Sequence, residues 1–177
     1  MIVDLTVEIP RGSRNVYSVD PETGRVRLER LLLTDMVYPA DCGYLDGTLS
    51  PNGEPVNALV LLEEPTFPGV SVTVRPVGVC RLSRAHGDDV KIITVPAQDP
   101  RWSATREITD VAAHTLHAVQ HFYQHVTDLT GVTGVTDLTD LSSDEAVSVG
   151  GFGSRTEAER LVMAALHAFR SHDTYES

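Results

Sequence analysis

The sequence predicts an α+β fold, a small barrel of short strands followed by two helices. Three observations predict it. Short apolar runs bounded by Pro or Gly fill residues 2–96. After Asp110 the apolar period switches to helical spacing. A chain of 177 residues, 41% hydrophobic and 22% charged, suffices for one core. No window reaches the roughly 18 apolar residues of a transmembrane helix.

The elements follow in order. Leu5, Val7 and Ile9 alternate with Thr6 and Glu8, the pattern of a half-buried strand. The turn Asp20-Pro21-Glu22-Thr23-Gly24 leads into a strand over 25–28. Runs at 58–62, 70–74 and 90–95 read as three more strands, punctuated by Pro55, Pro65, Pro68-Gly69, Gly87 and Pro96. Between 110 and 129, Val111, Leu116, Val119, Phe122, Tyr123 and Val126 recur at helical spacing. Residues 131–153, rich in Gly, Thr, Ser and Asp, read as a loop insertion. Thr156-Glu157-Ala158-Glu159 reads as a capping box opening a second helix with a stripe of Leu161, Leu166 and Phe169. No repeat or linker divides the chain, so a single domain over 1–177 is expected.

Charge and cysteine content narrow the function. Fourteen Lys and Arg against 25 Asp and Glu give a net charge of −11. Such a field disfavours nucleic acid and anionic membranes as partners. Cys42 and Cys80 are too few for a disulfide framework, and 2–9 reads as a strand rather than a signal peptide. A cytoplasmic location is expected.

Several motifs stand in a fixed order. Glu8-Ile9-Pro10 comes first, then Val16-Tyr17-Ser18-Val19-Asp20, Arg30 and Tyr38-Pro39-Ala40-Asp41-Cys42-Gly43-Tyr44. Asn52-Gly53-Glu54-Pro55-Val56-Asn57, Arg75-Pro76-Val77-Gly78-Val79 and Gly87-Asp88-Asp89-Val90-Lys91 follow. This ordered series resembles the soluble family I inorganic pyrophosphatases, bacterial members especially, from about residue 2 to residue 129 and again in the last helix. The resemblance implies a five-stranded OB-like β-barrel flanked by two C-terminal helices, usually assembled as a hexamer. It also implies several Mg²⁺ ions held by clustered carboxylates, with hydroxide generated from a metal-bridging water.

Against that family pattern the chain departs at several positions. The usual D-G-D-P-x-D reads Asn52, Glu54 and Asn57 here. Arg84 stands at an acidic position. Val16 and Ser18 replace a lysine and a glutamate, Cys42 a tyrosine, and Val126-Thr127 a Tyr-Lys pair. Glu8, Arg30, Tyr38, Asp89 and Lys91 are retained. Amides are poorer ligands than carboxylates for a hard cation, so no cofactor is expected beyond weakly held Mg²⁺, with Asp89 and Glu54 its only candidate ligands.

The changes lead to the expectation of a repurposed, metal-independent enzyme of isomerase, lyase or cyclase type acting on an anionic organic molecule. A weak Mg²⁺-dependent diphosphatase and a non-catalytic paralogue that binds a metabolite or a pyrophosphatase partner are the alternatives. The expected catalytic group comprises Glu54 as general base with Tyr38, Asp89 and Lys91. Arg30, Arg84 and Lys91 are expected to bind the anion. Glu8, Val16, Ser18, Cys42, Asn52, Asn57, Val126 and Thr127 complete the expected pocket. Arg30 and Lys91 also suit surface ion pairs, and Cys42 suits a small buried hydrophobe better than a nucleophile. His114, His117, His121 and His125 share one helix face; they suit Zn²⁺, but the resemblance assigns them to helix packing and subunit contacts. A homo-oligomer is expected.

Overall fold

The computed structural model describes residues 1–84, 87–130 and 148–173. The strands are β1 (Val3–Ile9), β2 (Asn15–Val19), β3 (Val26–Leu31), β4 (Asp41–Leu45), β5 (Asn57–Val60), β6 (Ser71–Arg84), β7 (Gly87–Pro96) and β8 (Ser148–Gly153). The helices are α1 (Ala113–Thr130) and α2 (Arg155–Asp173), and two single 3-10 turns precede α1. Hydrogen bonding runs β1-β4-β5-β7-β6, and β6 pairs back onto β1. Those five strands close a ring, as the resemblance implied, while β8 adds to the outside of β6 and β2-β3 forms a separate hairpin.

Alternation builds β1: Leu5, Val7 and Ile9 are buried, while Thr6 and Glu8 sit on the other face. The strand serves two partners, with Leu5 opposite Leu45 of β4 and Val72 of β6. The run at 58–62 has no alternation because both of its faces are covered. Leu59 and Leu61 join a core with Val119, Phe122, Tyr123 and Val126 of α1. Ala58 and Val60 join a second core with Ala158, Val162 and Ala165 of α2. β5 pairs with β7 in parallel, the arrangement in which continuous apolar runs belong.

Several sequence expectations change. β4 goes unpredicted because Asp41-Cys42-Gly43-Tyr44-Leu45 lacks alternation, yet all five residues are buried between β1 and β5. Asp41 tolerates burial because its carboxylate accepts from the Arg11 and Thr66 N–H groups and the Thr66 hydroxyl. Gly43 is required there, since a Cβ would collide with the Thr6 carbonyl. β6 passes through Pro76 at a bulge and continues to Arg84, 14 residues where the sequence predicted a run at 70–74.

The insertion at 131–153 is not a loop throughout. Residues 148–153 form β8, and 131–147 lie outside the described residues. Arg81 of β6 clamps this Gly-rich strand, donating to the Phe152 carbonyl and through two nitrogens to Glu157 of α2.

The cap of α2 is Ser154, not Thr156: its hydroxyl accepts from the Glu157 N–H. The buried stripe of α2 also differs. Ala158, Val162 and Ala165 face the barrel, whereas Leu161 and Leu166 flank it and Phe169 is exposed. Small residues let the helix approach the sheet closely, a preference that a search for large apolar side chains overlooks. Among the described residues, no helix is long and apolar enough to cross a membrane.

The Gly43 contact gives a direct test. Gly43→Ala should push β1 and β4 apart and cost about 1–3 kcal/mol, the usual range for overpacking, read as a lower urea midpoint. An unchanged midpoint would contradict the contact.

Candidate active site

The hairpin β2-β3 stands over one end of the barrel and encloses a cavity of about 970 Å³. β1 contributes Glu8, β4 contributes Cys42, β5 starts with Asn57, and β7 contributes Lys91. The loop before β5 adds Glu54, and α1 closes one wall with Phe122, Tyr123 and Val126. From the hairpin come Val16, Ser18 and Arg30, and Tyr38 lies beside Phe122 with ring centroids 4.6 Å apart.

Other expected residues fall elsewhere. Asn52 does not line the cavity. It sits on an exposed turn where its side-chain oxygen accepts from the Glu54 N–H at 3.1 Å and from the Ser50 hydroxyl. Asn is suited to such a local turn, which is its role here. Asp89 does not line the cavity either. Its carboxylate lies 3.3 Å from the Lys91 ammonium and also accepts from the Val90 N–H. The side chains of Arg84 and Thr127 fall outside the described residues.

The electrostatics centre on Lys91 and three glutamates. Lys91 is only 6% exposed, so its charge acts in a poorly solvated setting where Coulomb forces are strong. Glu8 accepts from the Val19 N–H at 2.9 Å, tying β1 to the hairpin. Burial raises its pKa above the usual carboxylate value, opposed by the Val19 N–H and Lys91 and reinforced by Glu54 and Glu29. Glu29 is a residue that sequence reasoning missed. It lines the cavity and accepts a hydrogen bond from Ser18. It occupies the extra position where the β2-β3 register shifts, and a bulge leaves no period to read.

Cys42 is no nucleophile. Burial pushes its thiol up to about 12, outweighing the lowering by Tyr123 and Lys91, so it stays protonated at neutral pH. Its sulfur donates to the Ala40 carbonyl at 3.2 Å and lies 3.7 Å from the Tyr123 hydroxyl. Burial likewise drives the Tyr38 phenol well up, leaving it a neutral hydrogen-bonding group.

The histidine face of α1 exists but lies apart from the cavity. The His121 and His125 rings stack at 4.2 Å, and the His125 Nδ1 meets the His121 carbonyl at 2.8 Å. Neither these histidines nor the pocket acids make a metal cage. Among the described residues, no group of three or more His, Cys, Asp or Glu side chains is placed to hold a metal ion. The Mg²⁺ cluster that the resemblance implies therefore does not fit the donors present.

A closed five-stranded barrel, two helices and a cavity lined by acids and bases under a hairpin define an α+β barrel scaffold with an enclosed polar site. The sequence profile described as inorganic pyrophosphatase matches residues 5–170, and the chain belongs to that family. It is 44% identical over 161 residues to the inorganic pyrophosphatase of Leifsonia xyli, covering 91% of each chain. It is 39% identical to that of Streptomyces coelicolor, over 96% of this chain and 97% of the other. The crystal structure of the Thermus thermophilus inorganic pyrophosphatase superposes with a TM-score of 0.84 at 33% identity, covering 96% of this chain and 91% of that one.

These relatives overturn the expectation of a repurposed isomerase, lyase or cyclase and of a non-catalytic paralogue. Similarity to named pyrophosphatases extends along nearly the whole chain, and the cavity keeps Arg30 and Lys91 beside Glu8 and Glu54. Counting substitutions one by one gives no weight to that retained set.

The Glu8 shift predicts a pH signature. Its folded pKa lies above the ordinary 4.5, so the folded protein binds this proton more tightly than the unfolded chain. Ionising Glu8 therefore opposes folding, and the penalty grows as pH rises above 4.5 through the raised value. Glu8→Gln keeps an acceptor for Val19 without the charge. Its melting temperature should gain on wild type from acid to neutral pH, whereas a constant difference would contradict the shift.

Proposed function

We propose that the chain hydrolyses inorganic pyrophosphate to two phosphates. One observation carries this reading: Glu8, Arg30, Tyr38, Glu54 and Lys91 line one cavity in a chain 44% identical to a pyrophosphatase. Phosphoryl transfer depends mainly on positioning and charge stabilisation. Arg30 offers a planar fork to a phosphate and Lys91 a point charge beneath it. Tyr38 donates a hydrogen bond from its neutral hydroxyl to a phosphate oxygen. Glu54 takes a proton from the attacking water as its oxygen bonds to phosphorus, and the bridging P–O bond breaks to release phosphate. Glu8 and Glu29, which line the same cavity, orient that water.

Mg²⁺ carried by pyrophosphate would supply charge neutralisation to its phosphates. Because Asn52 and Asn57 hold amides, the rate is expected to lie below that of an enzyme with the full acidic motif. Exposed Leu33, Phe67, Met163 and Phe169 also support assembly into a homo-oligomer. Light scattering at micromolar concentration should report a mass above one chain, and a monomer would remove that part.

The direct assay is phosphate release from pyrophosphate with Mg²⁺ present. Release is expected, and Glu54→Gln should lower kcat by about 10²-fold or more with KM little changed. Absence of release by the wild-type protein with any divalent cation would overturn the reading.

A further inference from the structure

The acidic groups around the cavity are committed to partners inside the protein. Glu8 accepts from the Val19 N–H, Glu29 from the Ser18 hydroxyl, and Asp89 from Lys91 and the Val90 N–H. Asp20, at the hairpin turn, accepts from the Glu22 and Thr23 N–H groups. Asn52 offers only an amide and spends its oxygen on its own turn. Among the described residues, no three acids or imidazoles are grouped to hold an ion.

Mg²⁺ demands near-octahedral oxygen ligands, gives up water reluctantly, and binds readily where substrate phosphates complete its shell beside one or two carboxylates. Among the described residues no three such side chains are grouped for an ion, whereas pyrophosphate brings its own oxygens.

We propose that the described residues of this cavity form no divalent-cation site in the resting state, and that the cation enters only as a complex with pyrophosphate. Arg30 and Lys91 receive the phosphate oxygens, and Glu54 faces the cation side of the complex. The proposal rests on the pyrophosphate reading and departs from the metal-loaded centre that the family resemblance implies. Its mechanistic content is an order of binding: a cation titrated alone meets carboxylates already engaged, and a diphosphate without its cation brings its own negative charge beside Glu8, Glu29 and Glu54, which line the same cavity.

Calorimetric titration of the full chain separates the outcomes, with methylenediphosphonate as a non-hydrolysable probe. MgCl₂ alone should give no saturable heat. Methylenediphosphonate should bind at least about tenfold more tightly with Mg²⁺ than with a chelator present. Saturable binding of Mg²⁺ alone would overturn the inference and leave the pyrophosphate reading standing. Equal diphosphonate affinity with and without Mg²⁺ would also overturn it. Failure of the diphosphonate to bind under either condition would overturn the pyrophosphate reading, and this inference with it.

Discussion

Everything in the molecule depends on β1 pairing on both of its edges. β4 takes one side and β6 the other, and that double pairing turns an open sheet into a closed ring. The same strand holds Leu5 and Val7 in the core while presenting Glu8 to the cavity. Because successive side chains alternate, a one-residue slip would bury Glu8 and expose Val7. Fold register and site geometry are therefore one constraint. Gly43 enforces it from the opposite strand, since only a residue without Cβ fits beneath the Thr6 carbonyl.

The hairpin is held over the ring by thinner means. β2 and β3 pair with each other and not with the barrel, and β3 is exposed along almost its whole length. The bond from the Val19 N–H to Glu8 is a point where the hairpin meets the barrel through a partly desolvated charge. A site walled on one side by such an element suits a small, highly charged ligand, because binding on both walls draws them together. A chain of net charge −11 would host the proposed anion through local charge: Arg30 and Lys91 line the cavity, and Lys91 does so from a nearly water-free position.

Legibility followed local signals. β1 showed itself by alternation, the α1 stripe by helical spacing, and β5 by an unbroken apolar run. β4 and β8 did not, because an internal strand carrying Asp and Gly and a strand written in Gly and Ser owe their form to neighbours. Asp41 is satisfied by a loop 25 residues away, and β8 by Arg81 of β6. In the cavity, Glu8, Arg30, Tyr38, Glu54 and Lys91 were legible through the ordered motif series. Glu29 was hidden by a bulge, and Asn52 proved to serve its own turn. The expected change of function failed because residue types at separate positions do not report how much of a site survives together.

The central claim is that pyrophosphate occupies the cavity between the hairpin and β7. A crystal structure of the full chain with Mg²⁺ and methylenediphosphonate tests it most directly. The account predicts one phosphonate group on the Arg30 guanidinium and the Lys91 ammonium, with Glu54 facing a phosphorus from the side opposite the bridge. Density for the diphosphonate elsewhere, with this cavity holding only water, would contradict it.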